Sequence, residues 1–133
     1  MSLAPLLAAP LVVQAHVAAA LAALLLGLAQ FARRKGSGGH RTMGYAWAGA
    51  MLATAITSFW ITGVGSAGHF SWIHLLSLLV LLSVPRAVFA ARRHRIAEHR
   101  QAMGMLFVLA LVVTGGFTLL PGRLMHQVVF GTP

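Results

Sequence analysis

The chain has 133 residues, 59% of them hydrophobic and 8% charged, with ten Lys and Arg against a single acid, Glu98, for a formal net charge of +9. One carboxylate excludes paired-carboxylate acid/base work and proton or cation transport through membrane carboxylates, and the absence of cysteine excludes disulfides, thiolate metal sites and cysteine catalysis. Uncharged stretches over 1–32, 42–85 and 101–122 assign the chain to the membrane, so its positive charge does not mark a nucleic-acid partner.

A helix needs about 20 apolar residues to cross the hydrocarbon. The first and last stretches hold one span each, and the middle one holds two if it breaks at "TGVGSAGHFS". The pattern predicts helices near 10–32, 43–63, 71–92 and 101–120 in a single transmembrane domain covering 1–133. The first has no basic segment before it and a longer apolar run than a signal peptide, so it is expected to be retained. "KGSGG" breaks the chain before the second helix, whose His40, Gly44, Trp47, Met51, Thr54 and Ser58 share a face too polar for lipid. His74 and Ser77 share a face of the third, Pro85 should kink it, and "RRHRIAEH" is a candidate for its continuation. Pro121 and Gly122 should end the fourth.

Four basic residues, Arg33, Arg34, Lys35 and Arg41, separate spans one and two, and Arg92, Arg93, Arg95 and Arg100 separate spans three and four. None lies at 62–71 or before Arg33. By the positive-inside rule both basic loops are expected in the cytoplasm of a bacterial inner-membrane protein, with both termini periplasmic.

An internal repeat refines the picture. His16, Phe31 and Ala32 recur as His74, Phe89 and Ala90, then His40 and Arg41 recur as His99 and Arg100, and Met43 and Gly44 as Met103 and Gly104. A unit of two helices begins and ends on one side of the membrane, so two copies run parallel. The expected fold is therefore all-α, a transmembrane four-helix bundle made of two parallel helical-hairpin repeats. His16 and His74 then share one depth and His40 and His99 another.

Histidine inside a membrane span is costly enough to raise a functional hypothesis. Opposed imidazoles can ligate a b-type haem in a bundle core, with Arg41 and Arg100 beside them to pair with propionate carboxylates. Two other readings stay open. His40-Arg41 and His99-Arg100 also suit interfacial anchoring to headgroups, and His16 and His74 also suit hydrogen bonding across a helix contact. The same four histidines, His16, His74, His40 and His99, are the candidates if the ligand is a metal ion, and His69 and His126 extend an outer set, though no ligand spacing marks one. The six methionines read as packing. Serine and histidine lack an acidic partner, and "GVGSAG" lacks the strand and helix of a phosphate loop, so enzyme chemistry has little support.

"HRTMGYAW", "SFWI", "FSWIHLLSLL", "EHRQAMGMLF" and "GGFTLLPGRLMH" together resemble a family of small bacterial integral membrane proteins catalogued as a domain of unknown function. The likeness runs from His16 to Gly131 and implies a four-helix fold in a bacterial inner membrane, without implying an activity. The layout is also similar to that of four-helix cytochromes of the b561 kind, in architecture alone. The combined expectation is a small bis-histidine haem b electron carrier exchanging with quinone. Its alternatives are a non-catalytic accessory subunit of a larger membrane complex and a histidine-based metal-binding membrane protein. Homo-oligomers are compatible with each.

Overall fold

Pro10 sets the start of the first long helix, because its fixed φ of −53° and missing N–H suit a helix entrance and nothing further inside. From there Ala and Leu, both strong helix formers, carry α2 unbroken from Leu11–Ala32. A four-residue α1, Ala4–Leu7, precedes it. The computed structural model describes residues 1–61 and 71–131, and no strand occurs among the described residues. His69, the "TGVGSAGHFS" break up to His69 and Phe70, and the expected end of the second span at 63 lie outside the described residues.

Gly36 turns the chain with φ of +78°, and Ser37 then caps α3, Gly38–Ser58, its Oγ accepting the His40 N–H at 3.1 Å. The helix thus starts well before the expected 43 and places His40 and Arg41 in its first turn. The apolar pattern locates the membrane edge, whereas the helix end is set by the cap, which needs no apolar side chain. α4, Trp72–Arg92, contains Pro85 and remains one helix, with the Leu81 carbonyl deprived of its usual donor. It stops at Arg92. His94 takes a left-handed φ of 58° and the Arg95 N–H closes on the Ala90 carbonyl at 2.8 Å, so "RRHRIAEH" reverses the chain and does not extend the helix.

α5, Ile96–Phe117, begins with Glu98 in its first turn, where a carboxylate complements the helix dipole and meets Arg95 at 3.0 Å. It too starts earlier than the expected 101. Its middle, Leu106–Val113, winds as a π-helix, which the sequence pattern does not announce. α6, Leu124–Phe130, follows and lies against α1, with the Ser2 N–H on the Val128 carbonyl at 2.9 Å.

The long helices pack as neighbours: α2 on α3, α3 on α4, α4 on α5, and the π segment of α5 on both α4 and α2. Among the described residues the backbones of α2 and α4, and of α3 and α5, stay more than 8 Å apart, so those pairs face one another across the middle. Trp47 and Met51 of α3, Val80 and Val84 of α4, and Phe107 and Leu111 of α5 fill that middle with Ala23 of α2. Small residues allow the close approach. A Cβ built on Gly27 would stand 2.5 Å from the Phe107 ring, so α2 meets α5 there at a distance only glycine permits.

Among the described residues three helices are long and apolar enough to cross a membrane: Leu11–Ala32, Trp72–Arg92 and Ile96–Phe117. The sequence led us to expect four. α3 is as long as α4, but its His40, Arg41, three threonines and Ser58 dilute its apolar character, and it compensates by burying five residues against its neighbours.

Candidate functional site

At the basic end of the molecule the chain gathers residues from all four long helices. Gln30, in the last turn of α2, donates from Nε2 to the His40 carbonyl at 2.7 Å, so the end of α2 is tied to the start of α3. His40 lies ahead of the apolar part of α3. Trp47 stands two turns further along and is 4% exposed. His99, in the first turn of α5, donates from Nδ1 to the Ala87 carbonyl of α4 at 2.9 Å. A carbonyl can only accept, so Nδ1 carries the proton and Nε2 keeps its lone pair.

Three buried polar atoms at this end have no hydrogen-bond partner among the described residues: Gln30 Oε1, His40 Nδ1 and Trp47 Nε1. Most buried polar groups are satisfied, and each orphan has a cost of about 1–3 kcal/mol. Glycines leave room beside two of these side chains: a Cβ on Gly27 would lie 3.0 Å from Trp47 Nε1, and one on Gly44 3.2 Å from Gln30 Nε2. The His40 pKa is held below its ordinary value, first by burial and then by the charge of Lys35 and that of His99 when its ring is protonated. The influence of His99 places the two histidines, from facing helices α3 and α5, within electrostatic reach of one another. Arg41 and Arg100 beside them are exposed and make no ion pair among the described residues.

The opposite end holds the second histidine pair in a different chemical state. Thr57 gives its hydroxyl proton to the carbonyls of Ala53 or Thr54, at 2.7 and 3.1 Å, and therefore accepts from His16 Nδ1 at 3.0 Å. His16 so keeps its lone pair on Nε2. His74 is reversed: its buried ring takes the Ser71 N–H on Nδ1 at 3.1 Å, which puts the proton of the neutral ring on Nε2. The His74 ring also lies against Phe59, with centroids 5.6 Å apart. Ser58 and Ser77, both buried, bridge α3 to α4 at 2.5 Å nearby.

A family model described as "Predicted membrane protein (DUF2306)" matches residues 13–129. The chain belongs to this family. No curated protein and no solved structure matches the chain. The family is one of unknown function, so what the histidine layers do must be argued from their own chemistry.

Some of the expected residues come together and others do not. His40 and His99 both lie at the basic end, within electrostatic reach of one another, with Arg41 and Arg100 at its surface. His126 donates from Nδ1 to the Leu119 carbonyl at 2.8 Å and lies against Phe130. Among the described residues no group of three or more His or acidic side chains converges as a metal site. Two contributors carry little signal in the sequence as site residues. Gln30, an amide inside an apolar helix, is one that its polarity alone could have marked. The Ala87 carbonyl is invisible until the fold brings α5 against α4.

Proposed function

We propose that this protein is a small b-type electron carrier of a bacterial inner membrane, exchanging electrons with quinone, in which His40 and His99 would hold one haem. The reading takes the long helices as a four-helix bundle of two parallel hairpin repeats, with basic loops cytoplasmic and termini periplasmic. The observation that supports it is His99, whose ring is oriented by the Ala87 carbonyl at the same basic end of the molecule as His40, within its electrostatic reach.

The donor set fits the group. A ligating histidine ordinarily donates its other ring N–H to a carbonyl or carboxylate, which fixes the tautomer and raises the basicity of the ligating nitrogen, and His99 is held in this way. The partnerless His40 Nδ1 is a second lone pair or donor with no protein group to satisfy it. Haem, when bound between two imidazoles, supplies a one-electron couple. Arg41 and Arg100 stand ready to pair with its propionates, and Trp47, Phe107 and Leu111 keep water from the centre. For His16 and His74 to form a second pair, His74 must release the Ser71 N–H, so the commitment is first to the basic-end pair.

A second reading, the non-catalytic accessory subunit, is favoured by the tight seat of Phe107 on Gly27, which leaves the middle of the bundle filled by protein. One experiment separates the two. The protein is purified in mild detergent from haem-replete cells and its visible spectrum is recorded before and after dithionite. The carrier reading expects a reduced b-type spectrum that His40→Ala and His99→Ala each abolish. A colourless protein that co-purifies with a larger complex would overturn it in favour of the accessory subunit.

A further inference from the structure

The antiparallel helices α3 and α4 leave a groove of about 420 Å³ on their outward face. It is graded along the membrane normal. Leu52 of α3 and Val84 and Pro85 of α4 form its deep end, Gly49 lies midway, and Tyr45 and Arg92 stand at its mouth at the basic end of the molecule. From Leu52 to Tyr45 is seven residues, roughly 10 Å of the roughly 15 Å that one leaflet of hydrocarbon provides. The groove owes its open middle to Gly49, where an added Cβ would meet nothing within 4 Å.

The charge at the mouth is what selects an occupant. Arg92 has no hydrogen bond or ion pair among the described residues, and Arg93 beside it lies over the Phe89 ring at 4.3 Å, adding a second cation at the same level. The only carboxylate side chain in the sequence, Glu98, is taken by Arg95 at 3.0 Å. No side-chain carboxylate is therefore left to neutralise the mouth. A guanidinium matches a phosphate with paired N–H donors, and the Tyr45 hydroxyl adds a further donor. We propose that this groove is a binding site for an anionic phospholipid, with the acyl chain along Gly49 and Pro85 and the phosphate held by Arg92 and Tyr45. A quinone would fill the apolar lane but carries no charge for Arg92. The site is separate from the residues that would hold a haem, since none of His40, His99, Arg41 and Arg100 lines the groove.

The test is native mass spectrometry of the full chain released from nanodiscs of phosphatidylglycerol or of phosphatidylcholine, alone and with added ubiquinone. The expected result is one retained phosphatidylglycerol per chain, in preference to phosphatidylcholine. Arg92→Gln should lower that preference about five-fold, the effect of one basic residue near an anionic headgroup. Gly49→Leu places its Cβ in open space and should keep the fold, with helicity and melting undiminished, yet displace the lipid whatever its headgroup. Equal retention of both lipids, or retention unaffected by either variant, would overturn the proposal. Retention of ubiquinone that Gly49→Leu abolishes and Arg92→Gln leaves intact would also overturn it, assigning the groove to a quinone.

Discussion

Replacing Gly27 by alanine probes the contact that holds α2 against α5 beside the histidine layer. The new methyl would stand 2.5 and 2.6 Å from Phe107 Cε2 and Cδ2 and 3.0 Å from Trp47 Nε1, where ordinary contact begins about 1 Å further out. The Phe107 ring has little room to retreat. It is 7% exposed and meets Phe31 edge-on, with centroids 5.0 Å apart. Overpacking of this kind costs about 1–3 kcal/mol, while exchanging glycine for alanine within a helix returns about 1 kcal/mol. Gly49→Ala gains the same helical term with no neighbour within 4 Å, so it is the matched control. The difference between the two variants isolates the steric term, and Gly27→Ala should have a folded-to-unfolded ratio roughly 5- to 150-fold below that of Gly49→Ala. Titration with sodium dodecyl sulfate from a mild detergent, followed by far-ultraviolet circular dichroism, reads that ratio. Equal midpoints for the two variants would refute the close approach of α2 to α5 and the packing of the basic-end site that depends on it.

Two further outcomes test the rest of the frame. The Ser58 to Ser77 bridge joins α3 to α4 in a dry environment, and a double-mutant cycle with Ser58→Ala and Ser77→Ala should give a coupling of about 0.6 kcal/mol, the usual size of an interhelical hydrogen bond in a membrane bundle; additive effects would contradict the bridge. His40 has its folded-state pKa depressed, so below the ordinary value of about 6.5 the unfolded chain binds more protons than the folded one. Stability should accordingly be level above pH 7 and fall as the pH drops through 6.5, and His40→Gln should flatten that slope in the same dodecyl sulfate titration. An unchanged slope in the variant would mean that His40 titrates as freely in the folded protein as in the unfolded chain.

Much of the fold was legible because bilayer physics acts on composition. α2 and α4 begin and end within a residue or so of the expected 10–32 and 71–92, since apolar runs of that length have no other stable arrangement. The starts of α3 and α5 were less legible. Ser37 and Arg95 lie in basic segments that look like loop, yet the helices begin beside them, because capping and dipole effects are local and indifferent to hydropathy. The third-helix extension through "RRHRIAEH" failed for a similar reason: the reversal at His94 depends on one left-handed residue, which histidine tolerates without advertising it.

The candidate site divides in the same way. Its histidines stand out in the sequence by cost, as imidazoles in or beside apolar helices, and by the recurrence of His40-Arg41 as His99-Arg100. What each ring can do was decided by neighbours distant in sequence. His99 exposes a lone pair on Nε2 because the Ala87 carbonyl takes Nδ1–H, whereas the symmetry-related expectation for His16 and His74 divides, one ring donating to Thr57 and the other accepting from Ser71. A repeat fixes residue type and depth, but a tautomer follows from whichever donor or acceptor the packed backbone presents. Composition and charge thus determined by themselves that this chain is a helical membrane protein, because transfer free energies are nearly additive over residues. Which nitrogen faces inward, how closely Gly27 admits Phe107, and where Arg92 is left without a counter-charge were decided only by tertiary structure, because each depends on a contact between helices.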